Sequence, residues 1–130
     1  MKNITNLRQI KKLKVFSYNY EVLWVKDAKS VYKLKAPEAP EEESDVWGWC
    51  DFAEQRIYVD DFLIASNYTK AAEILLHEWI HAGHDYLNLE DKSSEEDYTT
   101  QTAKMFMAFM KDNPAEMLYI YNIATGVIKP

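Results

Sequence analysis

All three histidines of this 130-residue chain lie within eight consecutive positions, in the segment HEWIHAGH at residues 77–84. They belong to a longer stretch, from Thr69 to about Gly83, whose apolar residues recur with the spacing of one helical side: Ala72, Leu75, Leu76, Trp79 and Ile80. Asn67 or Thr69 can cap the start of such a helix, and Gly83 suits its end. We therefore predict a helix that lies inside the molecule and carries the histidines.

Two of the histidines have the spacing of a metal site. Residues four apart on an α-helix differ by about 40° around the axis, so His77 and His81 project side by side. Glu78 lies about 100° from His77, close enough to reach a water on a shared ion but angled away from direct ligation. This is the HExxH arrangement of catalytic zinc sites, in which three protein ligands leave a fourth position open. We predict that His77 and His81 bind Zn²⁺ and that Glu78 is the catalytic base.

The alternative is that His77 and His81 are ordinary hydrogen-bonded histidines and that Glu78 is a solvated charge. The predicted position on a buried helix argues against this, because two histidines and a glutamate are costly to bury without a partner. A metal ion supplies such a partner. The zinc site is therefore the stronger interpretation.

The third zinc ligand has to come from another element. A second predicted helix, from Ser93 or Ser94 to about Asp112, opens with three acidic residues: Glu95, Glu96 and Asp97. The residues predicted to face inward on this helix are Thr99, Ala103, Phe106 and Met110. One helical turn before Thr99, the same face reaches Glu96 or Glu95. Ser93 with Glu96 also fits a capping box, although Ser94 with Asp97 offers a weaker cap that leaves Glu96 free. We predict Glu96 as the third ligand and keep Glu95 as the alternative.

Two further residues near this motif are not predicted to bind zinc. His84 lies about 10 Å of helical rise beyond His77, too far to share an ion unless the helix breaks at Gly83. It is either a residue that supports or lines the cleft or a solvated residue favoured by the helix dipole. Cys50 fits a buried thiol that packs as a small hydrophobe better than an inhibitory zinc ligand.

The rest of the chain indicates an α+β fold. The first dozen residues predict a loose helical turn or a frayed end, VFSYNYEVLWV at 15–25 predicts one strand, and the acidic segment 35–45 predicts a solvated loop. The runs VWGWCDF and RIYVDDF predict a β-hairpin whose register brings Trp49 or Cys50 near Tyr58. A short C-terminal helix ends near Gly126. The expected architecture is one domain, residues 1–130, with a three-stranded antiparallel sheet packed on the histidine helix.

Composition limits the classes of partner. A net charge of −6 gives no support to nucleic-acid binding, because an acidic surface repels phosphates. One cysteine excludes an internal disulfide and fits a reducing compartment. The sequence shows no signal peptide and no run of 18 apolar residues, so neither export nor membrane binding is expected. We predict a soluble cytoplasmic protein whose partner is a protein or peptide substrate.

From about Trp47 onward the chain resembles the small zincin-like metallopeptidases of phages and prophages, akin to the ImmA/IrrE type. The resemblance rests on the segment WGWCD at 47–51, RIYVDD at 56–61, EILLHEWIHAGH at 73–84 and KDNP at 111–114, of which HEWIH is the specific part. It implies a minimal zincin-like fold, zinc ligation by His77 and His81, Glu78 as the base, and an acidic third ligand matching Glu96. One departure is that relatives often place a ligand glutamate before an alanine in the later helix, whereas here Thr102 precedes Ala103.

The predicted function is zinc-dependent hydrolysis of a peptide bond in a protein target, which by resemblance is a regulator in a bacterial host. Glu78 takes a proton from a water that zinc polarises. An edge strand from about Val46 to Phe52 either holds the extended substrate or is an ordinary edge strand whose tryptophans belong to the core. Candidate donors to the oxyanion are Tyr58, Tyr86 and Tyr98. The competing interpretation is a non-catalytic protein that keeps zinc as a structural clamp; such a protein has no use for Glu78 as a base.

Overall fold

The computed structural model of the chain describes residues 2–37, 47–89 and 95–128. A 3₁₀ turn at Leu7–Gln9 is followed by nine elements: β1 (Lys12–Val15), β2 (Tyr18–Val25), α1 (Ala28–Lys35), β3 (Gly48–Asp51), β4 (Arg56–Asp60), α2 (Phe62–Ser66), α3 (Tyr68–Tyr86), α4 (Glu95–Asp112) and α5 (Pro114–Ala124). The predicted α+β class is confirmed. No helix in the described ranges is long and apolar enough to cross a membrane.

The sheet differs from the predicted one in size and in strand direction. It has four strands in the order β1-β2-β4-β3, with antiparallel outer pairs and a parallel central pair, β2 with β4. The prediction of a three-stranded antiparallel sheet is therefore wrong. The predicted β3–β4 hairpin is confirmed, since Trp49 lies opposite Tyr58 and Cys50 opposite Ile57.

The extra strand comes from a turn inside the segment predicted as one strand. Val15 pairs with Tyr18, so only Phe16 and Ser17 connect β1 to β2. Phe16 has a φ of 56°, a left-handed conformation that bulky residues rarely adopt. Its ring stacks on Tyr86 with centroids 4.8 Å apart. This packing stabilises a two-residue turn that contains neither glycine nor asparagine.

The parallel pairing of β2 and β4 is made possible by α1, which the sequence analysis did not predict. Parallel neighbours need a crossover, and the chain leaves β2 through α1 before it returns through β3 and β4. Asp27 caps α1 by accepting a hydrogen bond from the Ser30 backbone N–H at 3.2 Å. The buried Asp60 carboxylate also accepts from the Ala28 N–H, which fixes the start of α1 on the sheet.

The histidine helix, α3, is longer than predicted. Asn67 caps its start, as expected, by accepting from the Lys70 N–H at 3.1 Å. The helix continues past Gly83. A Cβ on this residue would lie 2.8 Å from Met105 Cε, so the glycine allows close packing between α3 and α4. The helix ends at Tyr86 and is followed by a Schellman-type cap, in which Asn88 has a φ of 56° and donates its N–H to the Asp85 carbonyl.

The core lies between the sheet and α3, and the N-terminal segment takes part in it. The predicted helical turn is confirmed at Leu7–Gln9, and the alternative of a frayed end is wrong here because Leu7 and Ile10 are fully buried. The hydroxyl of Tyr68 accepts from the Leu7 N–H at 2.8 Å and lies 2.6 Å from the hydroxyl of Tyr119. These contacts join the N-terminal turn to α3 and α5, and α5 ends near Gly126 as predicted.

The two edges of the sheet are treated differently. At the β1 edge, the side chain of Asn113 pairs with the backbone of Lys14: Oδ1 accepts from the N–H at 2.8 Å and Nδ2 donates to the carbonyl at 2.9 Å. This amide occupies the place of a neighbouring strand and covers part of the edge. The opposite edge, β3, faces the cleft described below.

The packed side of α4 differs from the predicted stripe. Met105 and Phe109 are fully buried, and Phe109 stacks on Trp79 with ring centroids 4.3 Å apart. Met110, assigned to the inward stripe, is instead 48% exposed. Thr99 and Ala103 are exposed as well, so the true inward face is displaced by about one position along the helix. The predicted start at Ser93 or Ser94 and most of the acidic loop lie outside the described residues.

Candidate metal centre

His77, Glu78 and His81 form a compact group on α3. Each offers one ligand atom, and these atoms all lie within 4.8 Å of one another. The two histidine Nε2 atoms are 3.0 Å apart, and the rings meet edge to face. The structure thus brings together the three residues that the HExxH spacing singled out.

The burial of this group is uneven. Glu78 is only 6% exposed, whereas His77 and His81 are both exposed. The expectation that the helix buries its histidines is wrong, because they lie at the border of its packed side, next to the cleft. Of the three residues, Glu78 is therefore the one that carries a desolvation cost of burial.

A cleft of about 370 Å³ opens in front of the three residues. Its other walls come from β3 with its flanking residues, from α1 and from the preceding turn of α3: Tyr32, Trp47, Gly48, Trp49, Cys50, Phe52 and Ile74. Most of these side chains are aromatic or apolar. The candidate ligands therefore face a space that is large enough for a ligand and that has one polar wall.

Gly48 sets the distance between β3 and α3. A Cβ on this residue would lie 2.6 Å from Ile74 Cγ2 and 3.2 Å from Glu78 Cγ, so no larger residue fits without a shift. The glycine thus lets the strand approach the helix beside the candidate base. Sequence reasoning recorded this glycine only as part of a motif, because the partner it approaches is some 30 positions away in the chain.

The backbone of β3 directs some of its hydrogen-bonding groups away from β4, at the edge of the sheet beside the cleft. The Asp60 N–H bonds to the Trp47 carbonyl, which makes Trp47 and Asp60 a hydrogen-bonded pair of the antiparallel ladder. Pairs alternate along such a ladder, so Gly48 and Cys50 direct their N–H and C=O groups away from β4. Among the described residues no strand pairs with this edge.

The predicted third ligand is not part of the group. Glu96 is exposed in the first turn of α4, and the cluster found among the described residues contains no carboxylate from that helix. The side chain of the alternative, Glu95, lies outside the part of the chain that the structure describes. The stripe that favoured Glu96 is displaced, so this assignment stays a prediction without its original support.

His84 lies one turn beyond His81 because α3 continues to Tyr86. Its ring contacts the ring of Tyr98 edge to face at 5.4 Å, between α3 and α4. Its Nε2 is buried and finds no hydrogen-bond partner among the described residues, and burial lowers the pKa of the imidazole. His84 therefore belongs to the contact between the two helices rather than to the cleft.

Cys50 lines the cleft as a neutral thiol. The residue is 6% exposed, and burial raises its pKa far above the usual value, with a further contribution from the negative charge of Glu78. A thiolate is the form that binds zinc. The environment of Cys50 agrees with the prediction of a packed thiol.

The tyrosines proposed as oxyanion donors lie elsewhere. Tyr58 stacks on Trp49 beneath the Lys35 ammonium, on the sheet face opposite α3. Tyr86 bonds to Ser17, and Tyr98 contacts His84. The tyrosine that does line the cleft is Tyr32, on the helix that sequence reasoning missed.

The donor set suits zinc. Two nitrogens bound to one zinc at about 2.0–2.1 Å with a tetrahedral angle are about 3.3 Å apart. The observed 3.0 Å between the Nε2 atoms of His77 and His81 is close to this value, and both side chains are accessible from the cleft. The same 3.0 Å is also the length of a hydrogen bond between the two rings.

Comparisons with known proteins add no relative to this picture. No protein-family model matches the chain, and searches of curated proteins and of solved structures return no match.

Proposed function

We propose that this protein is a zinc-dependent metallopeptidase that hydrolyses a peptide bond in a protein target. The observation that carries the proposal is the cluster of His77, Glu78 and His81 at the wall of an open cleft. A purely structural zinc site is closed by four protein ligands, whereas this one faces a space that a substrate can enter.

The two histidines and the glutamate have separate roles in this proposal. His77 and His81 would hold the ion, which when bound supplies Lewis acidity and lowers the pKa of water to about 7. Glu78, buried beside them, would accept a proton from the attacking water and deliver it to the leaving amine. Burial of Glu78 keeps this carboxylate in one position at the wall of the cleft.

The edge of β3, with which no described strand pairs, supports a peptide as the substrate. The outward N–H and C=O groups of Gly48 and Cys50 are spaced to pair with an extended chain, which would lie along the cleft. The other edge of the sheet is partly occupied by Asn113. Strand addition is therefore favoured on the side where the candidate catalytic residues lie.

Tyr32 takes the role of oxyanion donor in this proposal. It lines the cleft, and none of the hydrogen bonds found among the described residues uses its hydroxyl. A phenol can donate to the oxygen that becomes negative as the carbonyl is attacked. This assignment replaces Tyr58, Tyr86 and Tyr98.

The third ligand is proposed to come from the first turn of α4, where Glu95 and Glu96 are the candidates. Glu96 is the first choice and Glu95 the alternative, as in the prediction from the sequence.

The proposal keeps the resemblance to the small zincin-like metallopeptidases of phages and prophages as its context. A cytoplasmic site of action in a bacterial host belongs to the same proposal. The single cysteine, which is buried as a neutral thiol, agrees with a reducing compartment but does not require one.

The first test is zinc content per chain, measured by elemental analysis on protein purified without an affinity tag. We expect about one zinc in the native chain, loss of zinc in His77→Ala and His81→Ala, and weakened binding in Glu95→Ala or Glu96→Ala. His84→Ala is the matched control, because it removes a histidine from the same helix outside the cluster and should leave zinc in place. A native chain without zinc, even after reconstitution, would end the metallopeptidase proposal.

Glu78→Gln separates catalysis from a structural role of the metal. This variant should retain zinc and lose cleavage of a protein or peptide library, since the amide cannot accept the proton. If native protein and Glu78→Gln bind zinc equally and cleave the library equally, Glu78 is not the base. If zinc is bound and neither cleaves, the non-catalytic zinc-stabilised protein becomes the better interpretation.

A further inference from the structure

The wall of the cleft on the sheet side is built from aromatic side chains. Trp47, Trp49 and Tyr32 line it, and Phe52 stands at its border with 42% of its surface exposed. Tyr32 meets Trp49 edge to face at 5.8 Å, and Trp49 in turn stacks on Tyr58. These contacts hold the rings of Tyr32 and Trp49 in place, and Trp47 stacks on Phe62 with ring centroids 6.4 Å apart.

The register of β3 places this wall on one side of an added strand. Side chains alternate along a strand, so Gly48 and Cys50 face α3 while Trp47 and Trp49 face the opposite side. A peptide paired to this edge presents alternate side chains to the same two sides. One of its side chains must therefore rest against the aromatic wall whenever the backbone lies beside Glu78.

We infer that Trp47, Trp49 and Tyr32 form a subsite for one bulky apolar side chain, and that the substrates are extended segments carrying phenylalanine- or leucine-like residues next to the reacting bond. This inference rests on the proposed function, because it describes what the same cleft selects. An apolar side chain is favoured because the three rings offer mainly apolar surface, and because the described lining supplies no carboxylate other than Glu78 to pair with a buried cation.

Binding of small zinc-directed ligands tests the subsite without requiring turnover. The probes are acetylated dipeptide hydroxamates that differ only in the side chain next to the hydroxamate: phenylalanine, leucine, alanine or lysine. Dissociation constants are measured by calorimetry on the zinc-loaded full chain. We expect the phenylalanine and leucine probes to bind about tenfold or more tightly than the alanine probe, and the lysine probe to gain nothing.

Substitutions in the wall of the cleft test which side chains cause the preference for the phenylalanine and leucine probes. Trp47→Ala should remove most of the advantage of the phenylalanine probe, and Phe52→Ala, at a more exposed position, gives a second test if Trp47→Ala does not fold. Tyr121→Ala is the matched control, because this aromatic residue is 63% exposed on α5 and does not line the cleft. It should keep the native preference.

The outcomes separate this inference from the proposed function. Equal affinity for the phenylalanine and alanine probes, tightest binding of the lysine probe, or an unchanged preference in both Trp47→Ala and Phe52→Ala would overturn the apolar subsite and leave the zinc site standing. A chain that takes up no zinc, or that takes up zinc and binds none of the hydroxamates, overturns both.

Discussion

Gly48 and Glu78 are in such close approach that a methyl group on the glycine would lie 3.2 Å from Glu78 Cγ. The strand that offers its edge to the cleft and the helix that carries the candidate base are therefore positioned by one missing side chain. Substitution of Gly48 by alanine therefore tests both the stability of the fold and the position of the candidate base.

Gly48→Ala is expected to destabilise the fold and to reduce peptidase activity. The added Cβ would meet Ile74 Cγ2 at 2.6 Å, and overpacking of this kind typically costs about 1–3 kcal/mol. The strand has to move away from α3, which displaces Glu78 relative to the substrate. Urea denaturation gives the change in the free energy of unfolding, and kcat/KM on the best library peptide gives the change in activity.

Gly83→Ala is the matched control for this substitution. Its Cβ would meet the buried side chain of Met105, with Cε at 2.8 Å and Cγ at 3.1 Å, so the fold should also be destabilised. This contact lies away from the cleft, so activity of the folded protein should remain near the native value. Equal effects of the two substitutions on activity would show that Gly48 has no special relation to the site.

The local parts of this structure could be predicted from the sequence. The alternation in WGWCD and RIYVDD indicated a hairpin with Trp49 opposite Tyr58, and the apolar spacing before His77 indicated α3. The HExxH spacing also identified the cluster, because side chains four apart on a helix are neighbours whatever the rest of the fold does.

The parts that were missed depend on contacts distant in sequence. The turn at Phe16 lacks the usual turn residues and is held by the ring of Tyr86, 70 positions later. The parallel pairing of β2 with β4 requires α1, whose only local signal is the Asp27 cap. Tyr32 could not be linked to the cleft from sequence, because its place there depends on that unpredicted crossover.

Asn113→Ala is expected to lower the free energy of unfolding by about 1–3 kcal/mol. The substitution removes both hydrogen bonds from the Asn113 side chain to the Lys14 backbone. The Lys14 N–H loses its side-chain acceptor, whereas the carbonyl keeps a hydrogen bond from Trp79 Nε1 at 3.4 Å. The measurement is urea denaturation with a chelator present, so that metal binding does not contribute to the difference.

Asn19→Ala provides the comparison, because Asn19 lies opposite Lys14 on β2 with an exposed side chain. Its effect should stay within about 0.5 kcal/mol, as is usual for surface positions. If both asparagines give the same small effect, the amide of Asn113 does not stabilise the edge of β1.

Tyr32→Phe is expected to lower kcat by about a hundredfold with little change in KM. The phenol would act on the oxygen that becomes charged in the transition state, and donors of this kind typically contribute about 10²–10³ in kcat. Tyr58→Phe is the control, since this ring stacks on Trp49 but lies on the sheet face away from α3. A loss in Tyr58→Phe as large as that in Tyr32→Phe would point to the aromatic packing and not to the hydroxyl of Tyr32.

His84 is expected to make the fold less stable as the pH falls below neutrality. Burial lowers its pKa in the folded chain below the unfolded value of 6.5, so the unfolded state binds more protons between the two values. The contribution of the neutral ring is therefore fully present above pH 6.5 and declines as the pH falls through that value. Protonation would also place an N–H at the buried Nε2, for which the described residues provide no acceptor.

His84→Phe isolates this effect, because it keeps a ring beside Tyr98 and removes the titrating group while His77 and His81 remain. The free energy of unfolding is measured for both proteins between about pH 5.5 and 7.5 in the presence of a chelator. The difference, native minus variant, should rise with pH across this range. A difference that is flat or that falls with rising pH would contradict the buried neutral state of His84, and with it the view that this histidine holds α3 to α4.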